Sequence, residues 1–137
     1  MRFLLAPLVA WTIAQAAKLF LTSVRERRLN LRVLAETGGM PSSHSAIVMG
    51  LTTAIGKYSG PGSAAFAIAL IFTFVVMYDA AGLRRAAGRQ AEVLNRLVDD
   101  LFHMRGVQEQ RLRELLGHTP LEVFVGAAIG LAVGLLL

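Results

Sequence analysis

There is no cysteine anywhere in the 137 residues. Disulfides, thiolate catalysis, zinc fingers and iron–sulfur ligation are therefore excluded, and any chemistry must come from His, Lys, Arg, carboxylates or hydroxyls. Charge is scarce as well: 17% of residues are charged against 55% hydrophobic, and the mean hydropathy is +0.56. No ordinary soluble domain has that balance. It fits a single membrane-embedded domain over residues 1–137, with membrane lipids as its surroundings. Aromatics are few, seven Phe, two Tyr and one Trp, and long apolar runs separate the arginines. The net charge of +5 and pI near 10.7 thus come without a stacking platform, and no nucleic-acid partner is expected.

What is abundant is apolar sequence in runs. Phe3 to Val24 is interrupted only by Thr12, Gln15, Lys18, Thr22 and Ser23, enough for the roughly 20 helical residues that cross a bilayer core. Met1-Arg2 and the small residues Ala14-Gln15-Ala16 also fit a signal peptide, but the apolar run continues past that point and a span is expected. Ser45 to Lys57, with Gly50 and Gly56 inside, is short for a crossing. It becomes adequate if its helix starts near Ser42 or Ser43, capped by a serine hydroxyl. Ser59-Gly60-Pro61-Gly62 is a turn. Ser63 to Leu83 predicts a third span containing one ionisable residue, Asp79, and Thr119 to Leu137 a fourth with Pro120 in its first turn.

Between these last two spans, Arg84 to Gly117 holds seven arginines and five acids. Leu94, Leu97, Val98 and Leu101 recur at helical spacing, and Leu112, Leu115 and Leu116 follow a break near Gly106. One or two amphipathic helices, on the membrane surface or packed on the spans, are predicted. The fold class is all-α: an integral membrane helical bundle of about four transmembrane helices plus an amphipathic surface segment.

Polar residues collect at a few places. Gly38-Gly39-Met40-Pro41-Ser42-Ser43-His44-Ser45 opens the second span, where small residues would let backbone N–H groups at a helix start point at an anion, with hydroxyls and an imidazole beside them. An N-cap turn with a solvent-facing histidine is the plainer reading. His118 and Glu122, four apart, share a helix face, so the carboxylate can accept from one ring nitrogen and leave the other free to attack. A capping histidine with a dipole-favoured acid is the alternative there. Lys18 and Arg25, seven apart, project from one side of the first span, with Lys18 deep enough to need a partner, a watery cavity or a snorkelling path. Asp79 is a candidate partner. Alternating spans place Lys18, Arg25, the Pro41–Ser45 turn, Asp79, Arg84, Arg85, His118 and Glu122 at one membrane face. Such a set suits an anionic phosphoryl group, whose transfer depends above all on charge stabilisation.

Three stretches carry a family resemblance that covers nearly the whole chain: Gly38 to Ala46, Met77-Tyr78-Asp79-Ala80-Ala81-Gly82 with Arg84-Arg85-Ala86-Ala87-Gly88, and Glu114-Leu115-Leu116-Gly117-His118-Thr119-Pro120-Leu121-Glu122. The sequence resembles the divergent branch of the type 2 phosphatidic acid phosphatase superfamily, related to vanadium haloperoxidases. That superfamily pattern is a lysine seven before an arginine-proline, a Pro-Ser-Gly-His, and a Ser-Arg followed by a histidine and an aspartate four residues on. The resemblance implies that Lys18 and Arg25 bind phosphate oxygens, that Ser42 ligates phosphate within Pro41-Ser42-Ser43-His44 with Ser43 beside it, and that His44 is the general acid. It further implies His118 as nucleophile, oriented by Glu122, and no metal or other cofactor.

The chain departs from the pattern at several positions. Arg25 is followed by Glu26, Ser43 stands for the glycine and Glu122 for the aspartate. Arg113 lies five residues before His118, the sixth being Leu112, and no serine precedes it. The third phosphate-binding arginine is open among Arg111, Arg113, Arg84 and Arg85. The implied activity is metal-independent phosphatase action on a lipid phosphate or prenyl diphosphate. The alternative is a non-catalytic phospholipid-binding or lipid-transport protein that keeps the phosphate pocket.

Two further expectations concern assembly and orientation. Gly126, Gly130 and Gly134 line one face of the last span, and such a face permits close helix approach, either to a second copy in a homodimer or to another helix of the same chain. Four arginines between Ser23 and Met40 and seven between Arg84 and Gly117 face only Lys57 and Arg2 on the other side. The basic side, with the site, is expected in the cytoplasm.

Overall fold

The computed structural model describes residues 2–34, 39–102 and 118–137, all of it helix and short connections. The four long helices are α1 (Arg2–Glu26), α2 (Ser43–Ser59), α3 (Ala64–Phe102) and α4 (Pro120–Leu136), with one 3-10 turn at Leu31–Leu34 that packs on α1. Phe3–Glu26 and Ala64–Gly82 are long and apolar enough to cross a membrane; α2 and α4, at 17 residues each, lie at the lower limit.

The distribution of large and small side chains identifies the solvent. Only 28% of the α1 window and 11% of the α3 window is buried inside the protein, whereas the core helix of a soluble domain would be mostly covered. Leu4, Leu8, Trp11, Phe20, Ile68, Phe72, Phe74, Leu121 and Phe124 all point outward. The interior is instead built of small residues: Ala6, Ala10, Ala14, Ala46 and Ala54 with Val133. Lipid is as apolar as leucine, so helices in a membrane gain little by hiding leucines from it. They gain by close van der Waals packing, which small side chains permit. The protein is an integral membrane helical bundle.

Helix α2 is the centre of that bundle and touches all three others, most extensively α4 and then α1. Against α1, a Cβ at Gly50 would stand 3.2 Å from the Pro7 Cα and 3.3 Å from the Ala10 Cβ. Against α4 the approach is closer. A Cβ at Gly126 would overlap the Ser42 carbonyl oxygen, one at Gly130 the Ala46 carbonyl oxygen, and one at Gly134 the Thr53 side chain. The face Gly126–Gly130–Gly134 is therefore packed on another helix of the same chain, one of the two approaches that such a face permits. Contact between α2 and α3 includes a polar pair: the Thr52 and Thr73 hydroxyls lie 2.7 Å apart, and each stands 3.1 Å from a carbonyl of the opposite helix, Ala69 and Val48 respectively.

The helix ends follow from capping chemistry. Ser42 caps α2, its Oγ accepting from the Ser45 N–H at 3.3 Å. Thr119 caps α4, with Pro120 in the first turn. The start of α2 falls where the serine signal predicts it, and that of α4 where Pro120 in the first turn does. Helix α3 differs from expectation: it runs unbroken from the third span to Phe102, 39 residues, or roughly 58 Å at about 1.5 Å per residue. Its continuation past Gly82 belongs to the same helix as the span and is not a separate element. Alanine, Arg, Gln, Glu and Leu favour helix there, a Glu92–Arg96 pair at 2.6 Å supports it, and one Gly88 costs only about 1 kcal/mol. The break near Gly106 and the leucines after it lie outside the described residues.

Replacing Gly130 by Leu drives a side chain into the α2 backbone and is expected to lower the unfolding free energy in detergent by about 1–3 kcal/mol, the usual cost of overpacking. Gly62→Ala, where an added Cβ meets nothing within 4 Å, serves as the control. Equal melting temperatures for the two variants would show that the α2–α4 seam does not hold the bundle.

Candidate active site

One end of the bundle gathers the start of α2, the start of α4 and the second half of α1. The Ser42 N–H donates to the Glu122 carbonyl at 3.0 Å, which ties the cap of α2 to the first turn of α4. The His118 N–H donates to the Ala80 carbonyl at 3.4 Å, which ties the same turn to α3. Gly39, at φ +85°, lies over Lys18, where a Cβ would stand 3.1 Å from the lysine Cε. Glycine is required there twice, for the left-handed backbone and for the closeness of the lysine stem.

The two imidazoles meet at this end. His44 and His118 contact edge to face with ring centroids 5.9 Å apart. His44, in the first turn of α2, is exposed; His118 is 4% exposed. The His118 Nδ1 lies 3.4 Å from the Glu122 Oε2 and makes no formed hydrogen bond. His118 precedes α4 and its cap and is not part of the helix. The pairing with Glu122 therefore does not arise from a shared helical face, as the four-residue spacing predicts. It arises because the glutamate reaches back over the start of α4, where its Oε2 also accepts from the Thr119 N–H at 2.8 Å while the Thr119 Oγ1 accepts from the Glu122 N–H at 3.2 Å. This capping box was legible as Thr119-x-x-Glu122, a signature the motif reading passed over.

The phosphate-binding candidates fall into two groups. Lys18, buried to 2% exposure, and the buried Ser42 and Ser43 lie close to the histidines, and the Ser45 hydroxyl, which sequence reasoning did not single out, donates to the Ser42 Oγ at 3.2 Å. With two donors already on its oxygen, the Ser42 hydroxyl keeps its own proton to give. Arg25 is exposed in the last turn of α1, roughly 10 Å along the helix from Lys18. Asp79 is exposed on α3, and no ion pair joins it to Lys18 among the described residues. The side chains of Arg84 and Arg85, and all of Arg111 and Arg113, lie outside the described residues.

Chemically, the arrangement sets a buried imidazole beside a carboxylate, an exposed imidazole in contact with it, a buried lysine and a serine-capped helix start. The divergent PAP2 family matches residues 1–133. The chain belongs to that family. A relative in Bacillus subtilis (strain 168), the uncharacterized membrane protein YuiD, is 39% identical over 145 residues, covering 98% of this chain and 92% of its own. No solved structure matches. Membership extends over all four long helices, so the seam that holds α2 on α4 and the histidines at its end belong to one matched unit.

Burial drives the His118 pKa below 6.5; the Glu122 carboxylate opposes this, and the nearby His44 and Lys18 act in the same direction as burial. The imidazole is thus neutral at pH 7. Because the unfolded chain takes up this proton more readily, the contribution to stability is complete above pH 6.5 and is lost as the pH falls through the folded value. The melting temperature should drop between pH 7 and pH 5, and His118→Gln should flatten that part of the profile. An unchanged acid slope in the variant would show that His118 is not held neutral by its surroundings.

Proposed function

We propose that the protein is a membrane phosphatase that hydrolyses a lipid phosphate or a prenyl diphosphate through a phosphohistidine on His118. The contact of a buried, carboxylate-backed imidazole with an exposed one, 5.9 Å between centroids, is the observation that supports this best. Neutral His118 attacks phosphorus; the N–P bond forms as the P–O bond to the leaving group breaks, and His44 gives its proton to the departing oxygen. Water then attacks the phosphohistidine, His44 takes the water's proton, and inorganic phosphate leaves with His118 neutral again. Lys18, Arg25, Ser42 and Ser43 bind the non-bridging oxygens, with a third cationic ligand among Arg84, Arg85, Arg111 and Arg113. Preorganised donors of this kind supply most of the rate enhancement in phosphoryl transfer.

Orientation is part of the same reading. The site end of the bundle borders the two arginine-rich segments, while Lys57 and Tyr58 meet the carbonyls of Leu135 and Leu137 at the opposite end. By the excess of Lys and Arg near span ends, the site faces the cytoplasm from the cytoplasmic membrane. Single cysteines at Ser59 and Gln108, in a chain that has none of its own, test this in intact cells. An impermeant maleimide should label position 59 and spare 108, and the reverse result would overturn the assignment.

Purified protein is expected to release phosphate from one or more of phosphatidic acid, phosphatidylglycerophosphate and prenyl diphosphates in excess chelator, and to be inhibited by orthovanadate. His118→Ala should lower turnover by several orders of magnitude with folding intact. His44→Ala should be partly rescued by substrates with better leaving groups, since general-acid help matters less for a stable leaving oxygen. Undiminished hydrolysis by folded His118→Ala would refute the mechanism. Phospholipid binding without turnover by the parent would favour the lipid-binding alternative.

A further inference from the structure

We propose that Thr119 is a positioning residue for His118, acting through the capping box that holds the Glu122 carboxylate against the histidine. The inference rests on the phosphatase reading for its consequence in turnover, but its geometry stands independently.

A glutamate has three side-chain torsions, and at the third position of a helix its carboxylate is free to reach into solvent. Here it is folded back. The Thr119 N–H anchors Oε2 at 2.8 Å, and the same oxygen lies 3.4 Å from the His118 Nδ1. The backbone that presents this N–H is set in turn by the Thr119 hydroxyl, which accepts from the Glu122 N–H at 3.2 Å and holds the cap at φ −74°, ψ 155°. The two bonds close a loop between residues 119 and 122, and His118 is the next residue outward. Removing the hydroxyl leaves the N–H in place but releases the turn that aims it.

The same geometry accounts for glutamate at position 122. An aspartate is one methylene shorter, whereas the capping box is formed by Glu or Gln at this position. A carboxylate that must both close the box and meet an imidazole outside the helix needs the longer side chain. The long 3.4 Å contact fits a resting site, since catalytic hydrogen bonds often tighten only when substrate is bound.

The groups that face His118 are Glu122 on its own segment, His44 from α2 and Lys18 from α1. Of these, only Glu122 favours the protonated ring. Loosening the box therefore withdraws the one stabilising charge, and the His118 titration should move to lower pH. It should also withdraw the acceptor for Nδ1–H, so the ring loses its preference for the tautomer with a free Nε2.

The test is nitrogen-15 NMR of the histidines in the full chain in detergent, with the His118 signals assigned by their loss in His118→Gln. Parent protein and Thr119→Ser should share a tautomer in which Nδ1 carries the proton, while Thr119→Val should show mixed tautomers and a lower titration midpoint. In Glu122→Gln, adding Thr119→Val should shift the midpoint no further. An unchanged tautomer and midpoint in folded Thr119→Val, or additive shifts in the double variant, would overturn the proposal. Kinetics give the second readout: kcat for Thr119→Val falls about fivefold, the loss that roughly 1 kcal/mol of transition-state stabilisation represents, with KM unchanged and Thr119→Ser near parent. A parent chain without phosphate release removes the phosphatase reading but leaves the NMR comparison decisive for Thr119.

Discussion

Helices surrounded by lipid cannot be driven together by hiding apolar surface, so what holds this bundle is the distance at which backbones meet. Along α4, Gly126, Gly130 and Gly134 bring that helix against α2 so closely that a single methyl group would intrude on a carbonyl or a threonine. The first of these contacts falls on Ser42, the cap of α2, one residue from the Ser43 that begins the helix. Whatever fixes the seam therefore also fixes where His44 and His118 stand, and packing and site are one feature seen at two depths. The Thr52–Thr73 hydroxyl pair plays the matching part toward α3, where a hydrogen bond within hydrocarbon contributes about 0.6 kcal/mol on average.

Much of this is readable from residue order, because helix caps and span lengths are local. Serine before the second span and Thr119-Pro120 before the fourth mark both helix starts to within a residue, and alternation of spans puts Lys18, the Pro41–Ser45 turn and His118 at one end. What the order of residues does not settle is which partner a feature meets. A glycine face serves a neighbouring helix of the same chain as well as a second copy, and only the fold shows α2 seated on it. The spacing of His118 and Glu122 agrees with a helical face, yet the contact forms through a backward reach across a cap. Asp79 is deep in sequence terms but exposed on α3, because α3 presents most of its span to lipid.

The departures from the superfamily pattern read differently once they are placed. Glu26, where a proline is usual, accepts from Arg28 and Asn30 at 3.2 and 3.1 Å and ends α1 in a small polar knot ahead of Arg27 at φ 53°. Ser43, in place of glycine, is the first residue of α2 and nearly buried, a position where a small hydroxyl is accommodated in a helix start without blocking it. Neither substitution disturbs the meeting of the two imidazoles.

The unbroken course of α3 has a mechanical consequence. A helix without a break transmits torque: turning one half about the axis turns the other half with it. The Ala80 carbonyl, which receives the His118 N–H, sits near the boundary between the two halves. The azimuth of the helix past Gly82 is thus geared to the backbone of one histidine.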